Sequence, residues 1–290
     1  MVTIKKPSLQ QGDLTIKSGH LEKARYFLNK ALALYGDPAL QEKHDFSEAG
    51  EFAADSYYEF SDAEDYEQTG PLTEEQQTLE ERIINEARIN KPVALVIKAE
   101  GEYFAAMRGY NPKTKTIIGN YPYGDQLNSS SCDYDIALRQ FAENSGFFET
   151  PEERASRKRW MKLSFERKIS ISLIQGKKSY IRGNKLLAKA KKNNFDGLDE
   201  KQVRDILNEF SMVLQYSRLA QNALRDARLN GISIGAIDYG PTVGQLKGYI
   251  NEIIGRSTEL VGRIKKPELY EPYIGTQLEL LHYKPRTTPS

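Results

Sequence analysis

The sequence predicts a mainly α fold: a long-helix bundle with coiled-coil-like seams, plus a small three-stranded antiparallel β-meander near residues 92–119. Three observations carry that prediction. In the second half of the chain, apolar and small residues recur at alternating spacings of three and four, which traces one face of a helix. Gly, Pro and Asn clusters fall between these stretches and mark their ends. Short runs rich in β-branched and aromatic residues are concentrated between 92 and 119.

Taken in order, the first helix is marked by Leu21, Ala24, Leu28, Ala31 and Leu32, and Gly36-Asp37-Pro38 stops it. Gly12, Gly19, Ala24, Leu28 and Ala31 stand where a tetratricopeptide repeat places its small and apolar residues, so this stretch resembles one such repeat. Thr15 stands where that family has an aromatic, and no second copy follows at the family's period of about 34 residues. A helix near 46–60 carries Phe46, Phe52, Tyr57, Tyr58 and Phe60 among carboxylates, and Gly70-Pro71 breaks the chain after Tyr66. Thr73 then caps a helix to about Asn90, with Glu75, Glu80 and Glu81 in its early part, where the helix dipole favours anions.

Val93–Ile97, Tyr103–Met107 and Thr116–Ile118 read as the three strands, with turns at Glu100-Gly101 and Asn111-Pro112-Lys113. The first is nearly all apolar and is expected to be covered on both faces. A polar loop, Asn120–Ser131, follows, and Asp133 opens a helix to about Asn144. Thr150 and Pro151 begin a long basic helix, 151–193, which Asn193-Asn194-Phe195-Asp196-Gly197 ends. A helical hairpin, 199–264, joins Asp199–Leu229 to Thr242–Ile264 through a loop holding Ile232, Ile234, Ile237 and Tyr239; a short helix near Thr276–Leu281 lies in the Pro-rich tail. The expected division is an acidic helical region at 1–90, the meander and loop at 91–131, and the helical bundle at 132–290.

The three long helices have compatible seams. They run Ile169, Leu173, Gly176, Tyr180, Gly183, Leu187, Ala190; then Val203, Ile206, Phe210, Val213, Ser217, Ala220, Leu224, Ala227; then Val243, Leu246, Ile250, Ile253, Ser257, Leu260, Ile264. Antiparallel packing follows from the short connections. Gly248, Gly255 and Gly262 repeat every seven residues, and Gly176 and Gly183 share that spacing. A helix-interior glycine costs about 1 kcal/mol against alanine. Glycines in register therefore suggest a line of close approach, either within the chain or as a seam for self-association or a partner helix.

Composition narrows the function. The net charge of +1 conceals an acidic block, Glu42–Glu86, with fifteen acidic and two basic residues. It also conceals a basic block, Glu152–Lys192, with fourteen basic and three acidic residues. Such blocks imply charged partners inside or outside the chain. No apolar run is long enough for a membrane span and no apolar leader follows the N-terminus, so the chain is expected in the cytoplasm or exported without a classical signal. Cys132 is the only cysteine, which excludes an intramolecular disulfide and a cysteine-based zinc site. His20, His44 and His282 are far apart in sequence, and no metal or cofactor is expected. Phosphate-loop, dinucleotide, calcium-loop, serine-hydrolase and H-E-x-x-H patterns do not occur.

The leading expectation is a non-enzymatic structural or protein-interaction protein, assembling through heptad-patterned helices with itself or with a protein partner. One alternative is nucleic-acid binding by the basic face Lys178, Arg182, Lys185, Lys189 and Lys192, with Trp160 and Tyr180 available to stack. Another is an enzyme using Cys132, placed just before a helix whose dipole would favour the thiolate, although Asp133 and Asp135 oppose it.

Overall fold

The computed structural model describes residues 9–43, 45–66, 71–108, 110–111, 116–117, 122–148, 150–192, 199–235 and 242–262. Their helices are α1 (Leu9–Tyr35), α2 (Pro38–Lys43), α3 (Ser47–Asp65), α4 (Glu74–Met107), α5 (Pro122–Glu143), α6 (Pro151–Lys192), α7 (Glu200–Leu229) and α8 (Val243–Gly262). None of them is long and apolar enough to cross a membrane. The chain divides into two compact units: Met1–Gly109 with Gly119–Arg167, and Tyr110–Ile118 with Lys168–Ser290. The boundary falls within α6. His44, His282, the loop residues Ile237 and Tyr239, and the tail helix near 276–281 lie outside the described residues.

The three-stranded meander is overturned. Val93–Ile97 and Tyr103–Met107 both belong to α4, and the described strands are β1 (Tyr110–Asn111) and β2 (Thr116–Ile117), an antiparallel pair with Tyr110 opposite Ile117. The physical reason is burial. Residues from Pro92 to Ile97, and again Ala99, Glu100, Gly101, Tyr103, Phe104, Ala106 and Met107, are withdrawn from solvent. A helix covered on all sides loses its 3.6-residue polar signal, and its sequence then resembles a doubly covered strand.

The Glu100-Gly101 turn is corrected for a related reason. Gly101 is where α4 crosses α3. A Cβ built there would lie 2.9 Å from the Phe46 carbonyl oxygen and 3.1 Å from the Gly50 Cα, so only glycine allows the two backbones this close.

Pro92 sits inside α4 and cannot donate to the Arg88 carbonyl one turn back. The Asn144 side chain fills that role, its Nδ2 donating to Arg88 O at 3.0 Å. This is how a 34-residue helix passes through a proline without a buried orphan carbonyl.

Packing also revises the neighbouring elements. The described part of the expected polar loop, from Pro122, is helical, and the helix expected to open at Asp133 begins at Pro122 instead. Leu127, Ser130, Tyr134, Ala137 and Phe141 form its buried stripe, and Ser130 Oγ donates to Ala99 O at 2.9 Å. The stretch that resembles a tetratricopeptide repeat is one uninterrupted 27-residue helix. Such a repeat is a helix–turn–helix unit, and α1 has no turn in it.

In the second unit α6, α7 and α8 run up, down and up. Gly176 meets Leu246 and Tyr216, and Gly183 meets Phe210 and Glu209, which sets α6 antiparallel to α7 and parallel to α8. The seam residues Ile169, Leu173, Leu187, Val203, Ile206, Phe210, Val213, Ala220, Leu246, Ile253 and Leu260 form its core. Helix starts are built as reciprocal caps, in which a side chain at the N-cap and one three residues later each satisfy the other's backbone N–H. Thr73 and Gln76, Thr150 and Glu153, Asp199 and Gln202, and Thr242 and Gln245 all do this.

Candidate functional site

The glycines of the expected seam occupy two different environments. Gly176 and Gly183 are buried, and a Cβ at Gly183 would come within 2.6 Å of the Phe210 ring, so these two serve packing inside the second unit. Gly248 and Gly255 are exposed on α8, and a Cβ at either meets nothing within 4 Å among the described residues. Exposed Gly244 and Asn251 lie along the same helix, while Leu246, Ile253 and Leu260 point into the core. The surroundings of Gly262, the last residue of α8, lie outside the described residues. One side of α8 is thus held by the bundle, and the other carries exposed Gly244, Gly248, Asn251 and Gly255 beside the longer side chains of Gln245, Glu252 and Glu259.

The basic face lies on α6, within the second unit. Arg182 pairs with Glu209 at 3.8 Å, and Lys178 also has a partner. Lys185, Lys189 and Lys192 are exposed and make no ion pair among the described residues. The two aromatics expected to stack on bases are engaged elsewhere. Trp160 is buried in the first unit against Tyr35, and Tyr180 stacks on Tyr249 with ring centroids 4.3 Å apart and donates to Glu252.

The acidic block meets bases of its own unit. Glu80 pairs with Lys17, Glu86 with Arg25, Asp45 with Arg108, and Glu64 with both Arg88 and Lys91. Burial pushes the Glu64 carboxyl up, but the hydrogen bonds from Lys91 and Arg88 outweigh it and hold the group below the usual carboxylate range.

The most concentrated chemistry in the first unit is a buried charge pair that the sequence does not advertise. The Glu100 side chain is fully withdrawn from solvent and receives four donors. Arg167 Nε and Nη2 reach its two oxygens at 2.7 and 3.2 Å, Tyr134 Oη donates at 2.5 Å and Tyr35 Oη at 3.1 Å. The Arg167 guanidinium lies over Tyr103 and Phe104, 4.9 and 5.0 Å from their ring centroids. Burial, then the Glu100 charge, pushes both tyrosine hydroxyls well up, so they stay protonated donors. Glu100 and Tyr134 are closed to solvent while Arg167 and Tyr35 keep some exposure, and the shared carboxylate fits the cluster for holding α1, α4, α5 and α6 together within the unit.

Beside it, Lys98 bridges Glu102 at 3.0 Å and Asp133. Cys132 is exposed on the surface of α5, well past the first turn of that helix. The dipole argument for a reactive thiolate therefore does not apply to it. An open cleft of about 670 Å³ in the first unit sets Arg82 among Glu81, Glu86 and Glu153 above Ile89 and Phe148. No family model, no curated protein and no solved structure matches this chain.

Proposed function

We propose that the chain is a non-enzymatic structural or interaction protein that associates through the outward face of α8 with the same face of a second copy. The supporting observation is the contrast between glycines. Gly176 and Gly183 have neighbours that require them; Gly248 and Gly255 have none, yet each gives up about 1 kcal/mol of helix propensity relative to alanine. A helix backbone that approaches from outside supplies the missing reason, since small residues in register allow close contact. A face that meets its own copy is the simplest closed arrangement.

The test is sedimentation of the wild-type chain and of Gly248→Leu/Gly255→Leu over a wide concentration range. Both positions are open in the chain, so the variant should keep its circular dichroism and melting curve. The expected outcome is concentration-dependent association of the wild type that the variant loses. A wild type that stays monomeric throughout rejects self-association.

A second reading rests on Lys185, Lys189 and Lys192, whose ammonium groups lack partners among the described residues. Such a stripe suits phosphate neutralisation. Submicromolar binding of mixed-sequence DNA or RNA near physiological salt, lost on reversing these lysines to glutamate in a folded protein, would favour it over the first reading.

A further inference from the structure

We infer that His20, Glu59 and Asp62 form a binding site for a divalent first-row transition ion of the zinc type, held between α1 and α3. His20 Nδ1 lies 2.6 Å from Glu59 Oε2 and 3.9 Å from Asp62 Oδ2, and one ligand atom from each residue falls within 4.8 Å of the others. Glu59 and Asp62 are three apart on α3 and so share a face, while His20 comes from the facing helix. One imidazole and two carboxylates are a zinc-type donor set that leaves a fourth position open.

Two of the three ligand separations are near those of a loaded site, and the third lies within 4.8 Å. Ligand atoms around a tetrahedral zinc, at about 2.0–2.2 Å from the metal, sit about 3.3 Å from one another. Opening the His20–Glu59 contact and closing the His20–Asp62 contact each need a shift of under about 1 Å, within reach of side-chain rotation. The backbones that carry the ligands are pinned nearby. Ser56 Oγ donates to Ala24 O at 2.9 Å, one turn from Glu59 on one helix and from His20 on the other, and Ala24, Ala53, Ser56 and Ala63 are buried. Small residues there let the helices approach closely and hold the register.

The ligands are also placed for access. The His20 and Glu59 side chains are 23% and 21% exposed, whereas Asp62 is 62% exposed and gives the ion an entrance. In the unloaded chain His20 Nδ1 and Glu59 Oε2 hydrogen-bond to each other, a contact that a metal between them would replace. Lys23, its ammonium 3.7 Å from Glu59 Oε1, is the cation nearest the ligands and is itself 62% exposed, so it can swing away.

The experiment is titration of the full chain with Zn²⁺ by calorimetry, in a Cys132→Ser background that removes the thiol as a competing ligand. One ion per chain is expected, bound in the micromolar range or tighter. Outer-shell partners of metal ligands already change affinity by about 10–100-fold. His20→Ala, and separately Glu59→Gln/Asp62→Asn, should therefore weaken binding by roughly that factor or more. Lys23→Ala should tighten binding a few-fold while leaving the stoichiometry at one ion per chain. The Co²⁺-loaded chain should show the visible bands of a nitrogen and oxygen site that vanish in His20→Gln, a variant that keeps a polar group against Glu59. Absence of stoichiometric binding in the wild type, or binding unchanged by both ligand variants with their folds intact, overturns the inference.

Discussion

In the first unit Gly50 and Gly101 meet backbone to backbone, buried at the crossing of α3 and α4, and the adjoining Glu100, fully withdrawn from solvent, pairs with Arg167. In the second unit a Cβ at Gly248 or Gly255 meets no described atom within 4 Å, and Lys185, Lys189 and Lys192 lie on the surface without ionic partners among the described residues. Glycine thus meets a packing demand at Gly50, Gly101, Gly176 and Gly183 and meets none at Gly248 and Gly255 among the described residues. Glycine and charge that the fold consumes are explained by packing. Glycine and charge that the fold leaves exposed are where an external partner has physical purchase. The difference also separates stability from interaction: substitutions in the first unit should act on folding, and those on the outer face of α8 on association.

The largest expected effect is at Glu100. Glu100→Gln keeps the shape but leaves the Arg167 guanidinium buried without its anion, which should destabilise the chain by about 3–5 kcal/mol in denaturant unfolding. Glu100→Gln/Arg167→Met should recover part of that loss, because a buried ion pair replaced as a unit is often close to neutral. A single variant as stable as the wild type would break the comparison.

Next come the paired glycines, where the same substitution should have opposite signs. Gly101→Ala forces a methyl against the Phe46 carbonyl and should cost about 1–3 kcal/mol. Gly255→Ala fills empty space and should raise the stability of the monomer by about 1 kcal/mol. Equal signs in thermal melts would remove the distinction between internal and external glycines.

A smaller effect concerns pH. The Glu64 carboxyl, held below its unfolded value of 4.5 by Lys91 and Arg88, contributes stability that is present above that value and lost as pH falls through the lower folded value. Unfolding free energies measured from pH 6 to pH 3 should fall more for the wild type than for Glu64→Gln, by under about 1 kcal/mol for this partly exposed group. The smallest change is expected for Cys132→Ser, within about 0.5 kcal/mol, since the thiol is exposed on a helix surface. A large loss of stability there would show a role that the fold does not explain.

Legibility followed how local the signal is. The helices from Pro151, Glu200 and Val243 are readable because their apolar stripes and the capping residues Thr73, Thr150 and Asp199 act within a few positions. The run from Val93 to Met107 reads as strand because burial of most of its positions leaves too few polar ones to reveal a helix. In α5 the low helix propensity of Asn128-Ser129-Ser130-Ser131 hides a stripe whose small Ser130 docks on Ala99. The Glu100 cluster draws on Tyr35, Tyr134 and Arg167, and the candidate metal ligands join His20 to Glu59 across 39 positions, so no window along the chain contains either. Gly176 and Gly183 are buried while Gly248 and Gly255 are exposed, a difference of environment that spacing does not encode.

The Pro92 passage through α4 has a consequence for how this sequence can drift. Asn144 is the donor that Pro92 lacks, placed 52 positions further along the chain to occupy the Arg88 carbonyl. If Pro92 is replaced by a residue with an N–H, that carbonyl regains a donor from its own helix, and Asn144 is released from selection. If Asn144 is lost first, the proline becomes a liability. The two positions are therefore bound to an order of change, with Pro92 free to leave before Asn144 but not after it, and sequences descended from a common ancestor should show the pair proline–asparagine or neither far more often than proline alone.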